Sequence, residues 1–191
     1  MEPKTYIQMK TKNDVINDII VDNDYKSYLE IGYQNGVGFN EIKAEIKYSV
    51  DPNGKADFKG TSDDFFAKLP KTKKYHIILI DGLHHADQVR RDIINASKFL
   101  YKSGAIVLHD VNPNSKETQI VPCQTGIWEG DVWRAFVGFR KSYPDIKTNC
   151  ILDDHGIGII YPNGVKFSGE FEDMNMSYED FANDKEVLLG V

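Results

Sequence analysis

The sequence predicts an α/β fold: a mostly parallel sheet with helices on both faces, finished by an antiparallel strand from a C-terminal hairpin. Three observations lead there. Compact apolar runs that stop at an acid or a glycine, SYLEIG (27–32), YHIILID (75–81) and GAIVLHD (104–110), have the length of buried strands. Segments with apolar residues at helical spacing lie between them. Near the end, TNCIL and GIGIIYP bracket DDHG, a short turn of hairpin type.

Taken in order, TKNDVINDIIVD (11–22) places Val15, Ile16, Ile19 and Ile20 at helical spacing. SYLEIG is the first strand, and FNEIKAEI (39–46) returns to the helical pattern. KYSVDP (47–52) is a second strand stopped by Pro52. DFKGT (57–61) reads as a third, although so short a connection leaves no room for a crossover helix. Ser62 and Asp63 suit the start of a helix over SDDFFAKL (62–69). YHIILID is the clearest strand. Ala86 to Tyr101 carries Val89, Ile93, Ala96, Phe99 and Leu100 on one side, a helix of about four turns. GAIVLHD is the next strand, residues 111–129 are irregular, and DVWRAFVGFRKSY (131–143) is helical. The acidic tail from Gly169 is expected to pack loosely.

A chain of 191 residues suffices for one domain with a sizeable core. Within it, residues 1–26 read as a helical extension and 111–133 as a lid over the substrate, since long irregular segments in compact domains tend to be functional. Acidic residues number 29 against 23 basic, a net charge of −6 with no basic block, which argues against a nucleic-acid backbone or an anionic membrane as partner. No apolar stretch has the length of a membrane span, and the polar start MEPKTYIQMK does not read as a signal peptide. Cys123 and Cys150 sit apart in no metal-ligand spacing and are expected to stay reduced, as in a cytoplasmic protein. The stretch 11–22 and the aromatic-rich 131–143 (Trp133, Phe136, Phe139, Tyr143) could serve a homodimer or the core; the core is the plainer reading.

In an open, Rossmann-like sheet, ligands bind beyond the carboxyl ends of the strands. Four such ends carry an acid: Glu30, Asp51, Asp81 and Asp110. After Glu30 come glycines 32, 36 and 38, which allow a tight turn and close approach of a ligand. The dinucleotide fingerprint requires a glycine at 34, where this chain has Gln34, so NAD is disfavoured. Asp51 follows Glu30 by 21 residues, where a carboxylate commonly accepts from both ribose hydroxyls. Its plainer role is a turn before Pro52.

These residues together resemble a class I S-adenosylmethionine-dependent methyltransferase. Within that superfamily the chain is similar to a compact family with a D-G-x-H element after the fourth strand and H-D after the fifth. The likeness rests on YLEIGYQNGVGFNEI, VDP, LIDGLHHADQVRRDI and SGAIVLHDVNP, spread over residues 28–113. It implies that Glu30, Gly32 and Gly36 hold the methionine part of the cofactor, Asp51 the ribose, and Thr61, Ser62 and Asp63 the adenine side. It also resembles metal-dependent O-methyltransferases of catechols and sugars, in which the base lies three positions after the strand-ending acid. That position is His84, after Asp81. Asp110 then falls on a metal-ligand position; the remaining ligand position holds His109 or Val111, depending on the relative, where those families have an acid or Asn.

Methyl transfer from a sulfonium is an in-line displacement, and a hydroxyl acceptor must lose its proton. A histidine near neutral pKa can take it, and a divalent cation such as Mg²⁺ on Asp81 and Asp110 can make it easier to lose. The expected activity is therefore O-methylation of a small molecule, with a sugar as the favoured acceptor. The alternatives are a metal-free N- or O-methyltransferase and an inactive nucleoside-binding module. His84 and His85 also fit a solvated helix start, with His85 supporting or surface-facing. His109 also fits a core histidine on the other face of the sheet. In the lid, Gln119, Gln124, Trp128 and Asp131 would suit a polar, ring-shaped acceptor; Ile120, Val121 and Ile127 could equally pack it on the core. His155, in the hairpin turn, reads as a solvated loop residue.

Overall fold

The computed structural model describes residues 9–191; the first part of the expected N-terminal extension, residues 1–8, lies outside them. The chain enters helix α1 (Lys12–Asp22) through Thr11, whose side chain accepts from the Asp14 amide while the Asp14 carboxylate reaches back to the Thr11 amide at 3.0 Å. This reciprocal cap satisfies two donors that the helix start would leave bare. Strands β1 (Ser27–Ile31), β2 (Ile46–Asp51), β3 (Phe58–Lys59), β4 (Tyr75–Ile80), β5 (Leu100–Leu108), β6 (Lys147–Ile151) and β7 (Ile157–Tyr161) form one sheet in the order β3-β2-β1-β4-β5-β7-β6. The pairs from β3 through β5 are parallel, and β7 runs antiparallel to both β5 and β6. The predicted architecture, hairpin included, is the one observed.

Strand periodicity divides the core in two. Ile77, Leu79, Ala105 and Val107 face α1, packing with Val15, Ile16, Ile19 and Ile20. Ile78, Ile80, Ile106 and Leu108 face the other way, toward Val89 and Ile93 of α4 (Ala86–Lys98) and Trp133 and Phe136 of α5 (Val132–Ser142). The apolar stripes of α1 and α5 are thus taken up inside the chain's own core. Among the described residues, no helix is long and apolar enough to cross a membrane.

Three expectations need correction. The helix expected over 39–46 is only α2 (Val37–Glu41): the Ile46 amide donates to the Lys26 carbonyl, and pairing of Ile46 with Ser27 demands an extended chain there. The helix expected to reach Tyr101 ends at Lys98, because Leu100 pairs with Tyr75 and opens β5. Between β2 and β3 there is indeed no crossover helix. A two-residue strand at the sheet edge needs only the loop, which Asp57 ties back by accepting from the Ser49 amide (2.9 Å) and hydroxyl (2.8 Å). The tail is not loose. It folds into α6 (Tyr178–Asn183) and α7 (Lys185–Leu189), burying Phe171, Phe181 and Leu189, with Phe181 stacked 4.3 Å from Trp133. Its acids face outward while its aromatics cover α5. Helix α3 (Ser62–Lys68) stands as expected, capped by Thr61 one residue earlier.

Candidate active site

The sheet order reverses direction between β1 and β4, and a cleft of about 700 Å³ opens beyond the carboxyl ends of the strands there. All four strand-end acids, Glu30, Asp51, Asp81 and Asp110, line it. One wall is the turn after β1. Gly32 has φ +101°, and a Cβ on it would sit 2.0 Å from the Asp81 carbonyl oxygen, so the ends of β1 and β4 can meet only at glycine. Gly36 is the left-handed cap of α2 and faces Tyr33 rather than the cleft, which Gly38 lines. Asp51 joins two loops: its Oδ2 accepts from the Gln34 amide (2.9 Å) and its Oδ1 from the Asn53 amide (2.7 Å). Glu30 is buried, accepting from the Tyr28 hydroxyl, and burial pushes its carboxyl up to about 7.

Thr61 and Ser62 line the cleft, whereas Asp63 is turned outward to Arg91 at 3.3 Å. Beneath them lies a carboxylate that sequence reasoning missed. Asp92, buried on the inner face of α4, accepts from Gln88 Nε2 at 3.1 Å, and the same amide reaches Ser62 Oγ at 3.1 Å. Burial pushes Asp92 up to about 7 from 3.8. A carboxyl raised in the fold contributes stability that is complete below its unfolded value and is lost as pH rises through its folded one. Asp92→Asn should therefore raise Tm relative to wild type at pH 8 and leave it nearly unchanged at pH 4. A thermal melt series across that range checks this, and a deficit of the variant at pH 8 would contradict it.

Beside the glycine turn stands Asp81, which follows β4. Its Oδ2 accepts from Lys12 Nζ in the first turn of α1, and its Oδ1 lies 3.3 Å from His84 Nε2 and 3.4 Å from His109 Nδ1. Asp110 follows β5 in the left-handed region, at φ 62°, a conformation that costs a non-glycine of order 1–3 kcal/mol and tends to mark functional sites. Its Oδ2 lies 3.4 Å from His84 Nδ1 and 3.5 Å from His109 Nδ1. His109 Nε2 faces Asp154 Oδ2 at 3.4 Å, an ion-pair distance without hydrogen-bond alignment. So His109 lines the cleft and is not a core residue of the sheet's far side.

Charge follows from this arrangement. Burial would leave His109 neutral, but Asp110, Asp154 and Asp81 push it up to about 11. Burial opposes the charge on Asp81 as well, yet His109, His84 and Lys12 hold its carboxyl well below the usual carboxylate range. His84 rises above its ordinary value because Asp81 and Asp110 outweigh its burial. Asp81, His84 and Asp110 each offer a ligand atom within 4.8 Å of the others. Lys12 and Asp154 were absent from the sequence reading.

The 111–131 connection differs from expectation in its polar residues. Gln119 is buried, its Oε1 accepting from Trp133 Nε1 at 3.2 Å. Asp131 accepts from the Ala86 amide at 2.6 Å and so caps α4. Gln124 is exposed, and so is Ile127 at 61%, which does not pack on the core. Trp128 lines the cleft but stacks on the His84 ring (5.4 Å between centroids), and its carbonyl lies 3.2 Å from His84 Nδ1. His85 is the cap residue of α4, edge-on to Trp128. His155 is not merely solvated: its Nδ1 lies 2.6 Å from the buried Glu129, whose carboxylate also accepts from the Asn114 amide.

Residues 44–111, from the approach to β2 through the end of β5, match the family model described as "Methyltransferase domain". No curated protein sequence is significantly similar to the chain. Solved structures share the fold. An O-methyltransferase from Bacillus cereus in complex with S-adenosylhomocysteine (SAH) is 13% identical over 83% of each chain, with a TM-score of 0.59. The O-methyltransferase TomG from Streptomyces achromogenes, involved in tomaymycin synthesis and solved with S-adenosylmethionine, is 12% identical over 78% of each chain (TM-score 0.57). The methyltransferase MycE of the mycinamycin pathway is 16% identical over 75% of this chain and 47% of its own (TM-score 0.51). Residues 44–111 thus match a methyltransferase domain, and the chain as a whole has the class I fold shared by S-adenosylmethionine-dependent O-methyltransferases.

Proposed function

We propose that the protein methylates a hydroxyl oxygen of a small polar molecule, with a sugar as the favoured class, using S-adenosylmethionine and His84 as the base. The observation that carries this reading is the position of His84, held between Asp81 and Asp110 in the lining of the cleft. The cleft fits the cofactor: its volume is in the range of small-molecule sites, and at Gly32 backbone rather than a side chain forms the wall. Gly32 and Gly38 would border the methionine part, Asp51 would take the ribose hydroxyls, and Thr61 with Ser62 would lie beside the adenine. Asp51 keeps lone pairs for the ribose, since each of its oxygens accepts one backbone amide. Asp51→Ala should weaken SAH binding about 10- to 100-fold, the range for losing hydrogen bonds to a charged acceptor. Unchanged affinity by calorimetry would remove Asp51 from the cofactor site.

S-adenosylmethionine supplies a methyl group on a positively charged sulfur, which leaves as a neutral thioether. The chain's own task is to align the acceptor oxygen and take its proton. A carbonyl only accepts, so the Trp128 oxygen would hold a proton on His84 Nδ1; Nε2, facing Asp81 Oδ1 at 3.3 Å, would take the acceptor's proton, and Asp81 would stabilise the resulting imidazolium. The raised pKa of His84 means that its basic form is reached at higher pH than that of an ordinary imidazole.

A divalent cation fits the donor set in type and spacing, with Asp81 and Asp110 as ligands and His109 beside them. Mg²⁺ there would lower the pKa of the acceptor hydroxyl. MycE, of the same fold, was solved with Mg, SAH and mycinamycin VI. One observation favours the metal-free reading: the carboxylates already face cations, Lys12 on Asp81 and His109 on both. Calorimetric titration with SAH, with and without Mg²⁺ and with NAD as control, tests the whole. Micromolar SAH binding supports the assignment, and none in either condition would end it.

A further inference from the structure

We infer that Lys12 is the built-in counter-cation of Asp81, and that its ammonium competes with a divalent cation for the Asp81–His84–Asp110 cluster. The inference rests on the metal site entertained above and adds to it a residue from outside the strand ends. Lys12 is held from three sides. Thr11 and Asp14 close the cap of α1, the Lys12 amide donates to Asp154 Oδ2 at 2.7 Å, and the Lys10 amide donates to Asp153 Oδ2 at 3.0 Å. The first turn of α1 is thereby pinned to the β6–β7 hairpin, and the Lys12 stem leaves from a fixed point. Its side chain is 25% exposed and that of Asp81 11%, so their attraction is far less screened than that of a surface pair.

The competition centres on Asp81. Asp81 Oδ2 is engaged by Lys12, while Oδ1 is shared by His84 and His109. Oδ2 keeps a second lone pair beside the Lys12 bond, so the competition is one of charge: an ammonium on the same carboxylate repels an ion that would bind it. The surface pair two residues earlier, Lys10 with Asp18 at 2.7 Å, offers an internal comparison, since both of its side chains are more than half exposed.

Calorimetric titration with Mn²⁺ and Mg²⁺ of the full chain, Lys12→Met and Lys10→Met tests this, with SAH titrated into each. Lys12→Met should bind the ion about tenfold or more tightly than wild type, as expected from removing a like charge at a partly buried site. Lys10→Met should match wild type in both the ion and the SAH titrations. Equal or weaker ion binding by Lys12→Met overturns the inference, as does an absence of ion binding in every variant. Should circular dichroism show Lys12→Met unfolded, Lys12→Gln, which keeps a polar end without charge, carries the same comparison. Failure of SAH to bind wild type would instead strike the methyltransferase assignment, and the ion titrations would still read the role of Lys12.

Discussion

Replacing His84 with Ala lowers turnover by about 10²- to 10⁴-fold, the usual worth of a positioned general base, while SAH affinity stays within a few-fold of wild type. The split is the informative part. His84 also stacks on Trp128 and its ring touches Asp81 and Asp110, so truncation to Ala removes packing along with the base. His84→Gln separates the two: an amide fills much of the ring's space and can hydrogen-bond, but it cannot take a proton. If proton transfer is the role, both variants fall together. If His84 only holds the Trp128 loop in place, the Gln variant recovers most of the rate. Full turnover in both variants would remove His84 from the chemistry and leave a helix start that happens to line a cleft.

The strand-end acids were legible because a buried strand announces itself. An apolar run can end in Asp only where the carboxylate finds water, a cation or a donor. The partners they found were not legible. Lys12 lies 69 residues from Asp81 along the chain, and only the packing of α1 beneath β4 and β5 brings it near. Asp154 meets His109 because β7 pairs antiparallel with β5, which places the hairpin turn beside the end of that strand. The errors have a common cause as well. FNEIKAEI and the end of the 86–101 segment have helical spacing, but short apolar runs satisfy either period, and pairing with Ser27 and Tyr75 decided for strand. In the connection after β5, composition suggested polar residues aimed at an acceptor. Burial instead required Gln119 to serve Trp133 and Asp131 to cap α4, a demand visible only once the neighbours are in place.

Gly32→Ala is expected to cost about 3 kcal/mol or more, combining the strain of a left-handed side chain with overpacking. The added Cβ would stand 2.0 Å from the Asp81 carbonyl oxygen and 2.8 Å from Gly82 Cα, backbone atoms that no rotamer change can clear. The clash lies where β1 and β4 run out together, tied by the Asp81 amide donating to the Ile31 carbonyl. Relief requires the two strand ends to part, and parting them moves both the glycine turn and Asp81, which line the cleft side by side. The variant should therefore lose both Tm, by roughly 2–4 °C per kcal/mol for a chain of this size, and measurable SAH binding. A helical glycine offers the control. Gly38, whose nearest neighbour to an added Cβ is the Asn13 side chain at 3.2 Å, should accept Ala with a far smaller loss of Tm. If Gly32→Ala melts like wild type and binds SAH, the two strand ends are not the rigid frame of the site. The acids at their tips would then owe their positions to Lys12, His84 and His109 instead.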